Sequence, residues 1–201
     1  MKKFLKHCNR GLLLSLAVLL GLIIYLKIDG IRFEDAKPDI ESTVTDYLAE
    51  VKKTNLADTK EKISLGHSLL GRYWSPHALT SGTYYGQEKD SMEAYLNSLA
   101  SQGDLTQVTD YVDVIRDIQV SKFGPGCAKA VVSYDASLTL AEPDTNYLIL
   151  GLQSDYYFDY YTASAQTESP QLNRSLMVTF YLQETEGQWQ IIGISAENAE
   201  E

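Results

Sequence analysis

A chain of 201 residues with 27 acidic and 17 basic side chains, a net charge of −10 and 44% apolar residues is ordinary in composition for a globular protein. It is not a disordered tail, a collagen-like fibre or a polytopic membrane protein. The charge is segregated: Lys2, Lys3, Lys6, Arg10 and Lys27 all precede the first carboxylate, Asp29, and from there on 27 acids face 12 bases, a net −15. An acidic body repels phosphate backbones, so no nucleic acid is expected among its partners.

The basic leader encloses an uncharged run, Gly11 to Leu26. As a helix it spans about 24 Å, a little short of a hydrocarbon core of about 30 Å. Arg10 and Lys27 flank it, and their aliphatic stems can lie along lipid while the charged heads reach the interface. A cleaved secretory signal fits the same basic start, but Lys27-Ile28-Asp29-Gly30-Ile31-Arg32-Phe33 offers no well-placed pair of small residues for cleavage. The composition therefore favours an uncleaved anchor. The expected plan is a basic cytoplasmic tail at 1–10, a transmembrane anchor from Gly11 to Ile28, a stalk at 29–37, one α+β domain at 38–196 and an acidic tail at 197–201. Basic residues before the span place the amino terminus in the cytoplasm and the body outside it, in a single-pass arrangement at the cell membrane. Cys8 and Cys127 then lie on opposite sides of the membrane and form no intramolecular disulfide.

Pro38 suits a first helical position, with Asp39 and Glu41 in the positive first turn. Ile40, Val44, Tyr47, Leu48 and Val51 follow at the spacing of one helical face, closed by Lys52 and Lys53. Asp58 with Glu61 has the spacing of an N-terminal cap, and Ile63, Leu69, Leu70 and Tyr73 continue a second helix toward Pro76. Asp90 with Glu93 repeats that arrangement ahead of Met92, Tyr95, Leu96 and Leu99, a third helix ending at Gly103. The period then becomes two. Val112, Val114, Arg116, Ile118 and Val120 alternate with Asp113, Ile115, Asp117 and Gln119, and Gly124-Pro125-Gly126 makes a turn. Ala128, Ala130, Val132, Tyr134, Ala136, Leu138 and Leu140 form a second alternating series. Leu176 to Gln183 and Gln188 to Ser195 are further strands joined through Thr185-Glu186-Gly187. Tyr147 to Arg174 between the hairpins is expected to begin as another strand pair or a bulged strand. The fold class is α+β: an N-terminal transmembrane helix, then about three helices packed on a curved antiparallel sheet of four to six strands.

The most unusual local feature is the run Tyr156, Tyr157, Phe158, Tyr160 and Tyr161, interleaved with Asp155 and Asp159. Outward rings there would form an aromatic surface for a peptide, a sugar chain or a partner subunit; rings paired across strands would instead cover the core. Arg72, Tyr73 and Trp74 are candidates for the mouth of a pocket, or for core packing at a helix end. His67 and His77 stand ten residues apart without a metal-binding spacing, and no cysteine pair or phosphate loop is present, so no metal, cofactor or catalytic set is assigned. Asn173-Arg174-Ser175 matches a glycosylation acceptor, a tripeptide common by chance.

Three helices, a meander of long strands and a closing Gly-Gln-Trp-Gln-Ile-Ile-Gly-Ile at 187–194 resemble the nuclear-transport-factor-like superfamily, over roughly Pro38 to Ser195. The resemblance implies a cone-shaped α+β domain whose curved sheet wraps the first helix and leaves a pocket. Pocket enzymes of that superfamily use an Asp, His or Tyr inside the cone as general acid or base; here the counterparts would be His67, His77, Asp113, Asp117 and Tyr134. The strand phase, however, puts Asp113, Asp117 and Asp135 on the solvated side, opposite Val112, Val114 and Val132. A single span before such a domain also looks like the bitopic subunits of bacterial type IV secretion and conjugation systems. The function expected is a membrane-anchored, extracytoplasmic binding or assembly module, non-enzymatic, engaging a protein or cell-envelope partner and open to homo-oligomerisation by resemblance. A small-molecule-binding domain or a pocket lyase or isomerase is the alternative.

Overall fold

The computed structural model describes residues 10–76, 93, 96–97, 108–141 and 171–199. They form two helices, α1 (Arg10–Leu56) and α2 (Thr59–Tyr73), and four strands, β1 (Val108–Gly124), β2 (Cys127–Leu140), β3 (Gln171–Thr185) and β4 (Gln188–Asn198). The strands pair in chain order as one antiparallel sheet, β1-β2-β3-β4.

The α+β class stands, but among the described residues two helices are present where about three were expected, and four strands where four to six were expected. Of the third expected helix only Glu93, Leu96 and Asn97 are described, each helical. The expected element between the hairpins lies outside the described residues. The stretch read as a stalk, 29–37, is helical, and Pro38, expected at a helix start, sits inside α1. Its ring removes one backbone donor there. The chain forms two compact units, Met1–Pro38 and Asp39–Glu201, whose boundary falls at this proline.

In the first unit no side chain from Gly11 to Leu26 is buried: Leu12 is 66% exposed, Leu16 54%, Leu19 53% and Ile23 52%. This helix is long and apolar enough to cross a membrane, with an 18-residue window of mean hydropathy 2.4.

In the second unit Ile40, Val44, Tyr47, Leu48 and Val51 of α1 are fully buried, as their spacing predicts. Asp58 caps α2, its carboxylate accepting the Glu61 amide at 2.9 Å. Tyr47 joins both helices to the sheet. Its ring meets Tyr73 edge-on at 5.5 Å and Phe180 of β3 at 5.8 Å, and its hydroxyl accepts the indole N–H of Trp74 at 3.2 Å. Trp74 bridges to Ile191, and the next amide, Ser75, donates to the Ile191 carbonyl at 2.9 Å. The chain leaving α2 is thereby tied to β4.

Both hairpins turn through positive φ, at Gly126 (63°) in one and at Glu186 (54°) with Gly187 (80°) in the other, a conformation that glycine adopts without steric cost. The buried face of β2 is the predicted one, Ala128 through Leu140 at alternate positions. That of β1 is not. An unpaired extra residue, Arg116, sits between Ile115, which faces Tyr134, and Asp117, which faces Ser133. A bulge of this kind moves the alternation by one residue. Tyr111, Asp113 and Ile115 therefore share the inner face with Ile118 and Val120, while Val112 and Val114 are 52% and 53% exposed on the outer face. A further bulge, at Ile192 of β4, lets Ile191, Ile192 and Ile194 all be buried.

Tyr47→Phe should leave the buried Trp74 N–H without an acceptor and lower stability by about 1–3 kcal/mol, and Tyr47→Ala by about 3–5 kcal/mol. Denaturant unfolding followed by tryptophan fluorescence measures both.

Candidate functional site

The bulge at Arg116 brings a carboxylate onto the inner face. Asp113, placed on the solvated side by its phase, instead points inward with only 16% of its side chain exposed. Lys52 of α1 donates to its Oδ1 at 2.7 Å, and Tyr134 of β2, fully buried, donates to its Oδ2 at 3.2 Å. The Tyr134 hydroxyl lies 2.9 Å from that of Tyr111. Each phenol has one proton. With the Tyr134 proton on Asp113, Tyr111 must donate to Tyr134, which gives a directed chain Tyr111 to Tyr134 to Asp113, terminated by the Lys52 ammonium. Lys52 also stands 6.0 Å above the Tyr111 ring, closing the group on itself.

Burial, and then the neighbouring Tyr111 and Asp113, hold the Tyr134 hydroxyl far above its ordinary pKa, so it is a permanent donor at physiological pH. Burial does the same for Tyr47. Chemically the group is a desolvated carboxylate with three fixed partners in its circuit.

The other sequence candidates scatter. Asp117 is exposed, and Asp135 on the outer face bonds the Arg116 guanidinium and accepts the Ser175 hydroxyl at 2.7 Å. His67 is exposed on α2, and His77 lies outside the described residues. Arg72 is exposed, its guanidinium 5.1 Å above the Tyr73 ring; Tyr73 is 7% and Trp74 1% exposed, in the Tyr47 cluster. The run Tyr156, Tyr157, Phe158, Tyr160 and Tyr161 lies outside the described residues. No group of three His, Cys, Asp or Glu able to hold a metal occurs among the described residues. An open groove of about 370 Å³ runs between Ala49, Lys52 and Leu56 of α1 and Glu61 and Leu65 of α2, so Lys52 connects that groove to the buried carboxylate.

Two buried polar residues were not anticipated. Lys62 is 1% exposed and Asn55 fully buried, and neither Asn55 side-chain atom has a hydrogen-bond partner among the described residues. The signal for Lys62 was legible: it stands four residues before Gly66 and seven before Leu69, in phase with the buried stripe of α2. Burial lowers its pKa from 10.5 to about 8.

No family model matches the chain, and no curated protein sequence matches it. Its structure is similar to a nuclear transport factor 2-like superfamily protein from Salmonella enterica serovar Typhimurium (TM-score 0.50, 9% identity, covering 84% of this chain and 94% of that one). The fold is nuclear-transport-factor-like. Other similar structures are a hexachlorocyclohexane dehydrochlorinase from Novosphingobium barchaimii (TM-score 0.48, 9% identity, 87% and 91% coverage) and a protein with a cystatin-like fold from Caulobacter vibrioides (TM-score 0.45, 12% identity, 83% and 91% coverage). At 9% identity the likeness to the Salmonella protein establishes the fold and not an activity.

Stability should follow the buried titratable groups. Lys62 sheds its proton near pH 8 when folded and near 10.5 when unfolded. Between those values the unfolded chain binds more protons, so stability rises with pH. Tyr47 and Tyr134 are raised from 10.0, so above that pH the unfolded chain loses protons first and stability falls again. Unfolding midpoints measured from about pH 7 to about pH 11 should pass through a maximum, and Lys62→Met should remove the rising limb.

Proposed function

We propose that this chain is a single-pass membrane protein whose Asp39–Glu201 domain works outside the cytoplasm as a non-enzymatic binding or assembly module. The observation that carries this reading is the first part of α1, where apolar side chains project on every side and none from Gly11 to Leu26 is buried. In water such a surface costs roughly 25 cal/mol per Å²; in a bilayer it costs nothing. The basic flank, Lys2, Lys3, Lys6 and Arg10, supports a cytoplasmic amino terminus. The Tyr47, Tyr73, Trp74 and Phe180 cluster, which occupies the space between helices and sheet, supports a packed module over an open pocket. The partner is a protein or cell-envelope component, met by the aromatic run Tyr156 to Tyr161 together with the exposed Arg72, in the manner of bitopic subunits of a secretion assembly.

A second reading rests on one observation, the inward Asp113 held by Tyr134 and Lys52. In a pocket lyase or isomerase the carboxylate would remove a proton next to a carbonyl and the Tyr134 hydroxyl would stabilise the oxyanion that forms.

The two readings separate experimentally. Leu19→Arg should move the protein from the membrane to the soluble fraction, a midspan charge costing about 2.5–3.5 kcal/mol, and protease added outside intact cells should digest the body and spare the leader. Protection of the body would overturn the topology, and capture of the same partners after Tyr157→Ala and Tyr160→Ala would remove the aromatic surface. For the second reading, substituted phenolates, which mimic an enolate, should bind the wild type and lose affinity in Asp113→Asn; no binding at millimolar concentration removes it.

A further inference from the structure

The lysine and carboxylate pairs of α1 are of two kinds. Lys37 with Glu34 and Lys53 with Glu50 join residues three apart on the helix. Lys52 with Asp113 joins α1 to β1 across 61 positions of sequence, with Nζ 2.7 Å from Oδ1 and only 16% of the aspartate side chain exposed. The other oxygen, Oδ2, accepts the Tyr134 hydroxyl at 3.2 Å, and Tyr134 is backed by Tyr111 at 2.9 Å. The Tyr111 ring also flanks the ammonium, 6.0 Å from its centroid. A nitrogen nucleophile, a carboxyl group and a hydrogen-bond donor on the oxygen turned away from that nitrogen are thus held together. These are the parts of an amide-forming condensation.

We propose that Lys52 and Asp113 are a modification site, at which the chain joins itself through an isopeptide bond between Lys52 Nζ and Asp113 Cγ. Desolvation favours the neutral amine and acid over the charged pair, so the ammonium proton passes to Oδ1 along the 2.7 Å hydrogen bond. The freed amine attacks Cγ, and charge collects on Oδ2, at which the Tyr134 proton already points. Burial keeps that hydroxyl protonated and able to donate. The Nζ–Cγ bond forms, the Cγ–Oδ1 bond breaks, and Oδ1 leaves as water with two of the three ammonium hydrogens. One ammonium and one carboxylate give one amide and one water, so the step needs no co-reactant. Contact between the groups takes the place of chemical activation, because effective molarities of well-oriented intramolecular reactions reach about 10⁵–10⁸ M. The domain from Asp39 onward has a single cysteine and hence no internal disulfide. A link across 61 positions would restrict its unfolded chain as a disulfide does. The bond leaves the membrane-anchored reading intact and consumes the carboxylate that the lyase reading needs.

Intact-mass spectrometry of the full chain, purified in mild detergent, tests the bond. The wild type should weigh one water less than its sequence, and trypsin should release a branched peptide joined at Lys52 and Asp113, with no cleavage after Lys52. Lys52→Arg, which keeps the ion pair but offers no amine, should show the full mass. Tyr134→Phe should slow the reaction by about 100-fold, read as the share of full-mass chain that remains with time after synthesis. A wild type at full mass, a water loss that persists in Lys52→Arg, a branched peptide joined at other residues, or an unslowed reaction in Tyr134→Phe would each overturn the proposal.

Discussion

The second unit depends on the surroundings of one side chain. Tyr47 touches α2 through Tyr73, the sheet through Phe180, and the segment leaving α2 through Trp74. Its ring supplies apolar area and edge-to-face contacts, each worth about 0.5–1.5 kcal/mol beyond burial. Its hydroxyl satisfies an indole N–H that would otherwise be buried unpaired. Fixing Trp74 in this way also fixes the backbone beside it, so the Ser75 amide reaches the Ile191 carbonyl and β4 is held against the end of α2. A helix, a second helix and the far edge of the sheet are thus positioned by one residue with two kinds of surface. The inner face is filled at this point with rings rather than left open.

Where the sequence was legible, a single period held. The apolar positions of α1 from Ile40 to Val51, the cap at Asp58 and the alternation from Ala128 to Leu140 are all found as read. Strand β1 was misread because its period is interrupted. Parity groups Val112 and Val114 with Ile118 and Val120, but Arg116 is an extra residue, and two valines face outward while a carboxylate faces inward. Nothing local marks the bulge. On the partner strand Tyr134 occupies an inner position and bonds the carboxylate that the bulge brings inward. The polar site was therefore invisible in the strand that carries it and half-visible in the strand opposite. The fold class survived because bulges change which residues face the core without changing which strands pair.

The helices failed differently. The stalk expected at 29–37 rested on mixed charge and small residues, and a helix start was expected at Pro38, yet α1 continues through both. Charge does not end a helix whose side chains can reach solvent, and a proline removes one hydrogen bond without removing its neighbours. Lys62 was overlooked for a related reason: a lysine between Glu61 and Ile63 reads as surface, and only its phase with Leu69 and Tyr73 shows that it belongs to the buried stripe.

The two unanticipated polar groups of the inner side stand in opposite states, and the contrast separates structure from function. Asp113 is inward but complete, with an ammonium on one oxygen and a phenol on the other, so folding supplies all that its charge requires. A group in that state stiffens the interior. Asn55 is different: neither atom of its buried carboxamide has a hydrogen-bond partner among the described residues, a state that lowers stability. Lys62 stands between these two states, its long stem carrying the ammonium into a buried position where desolvation lowers its pKa.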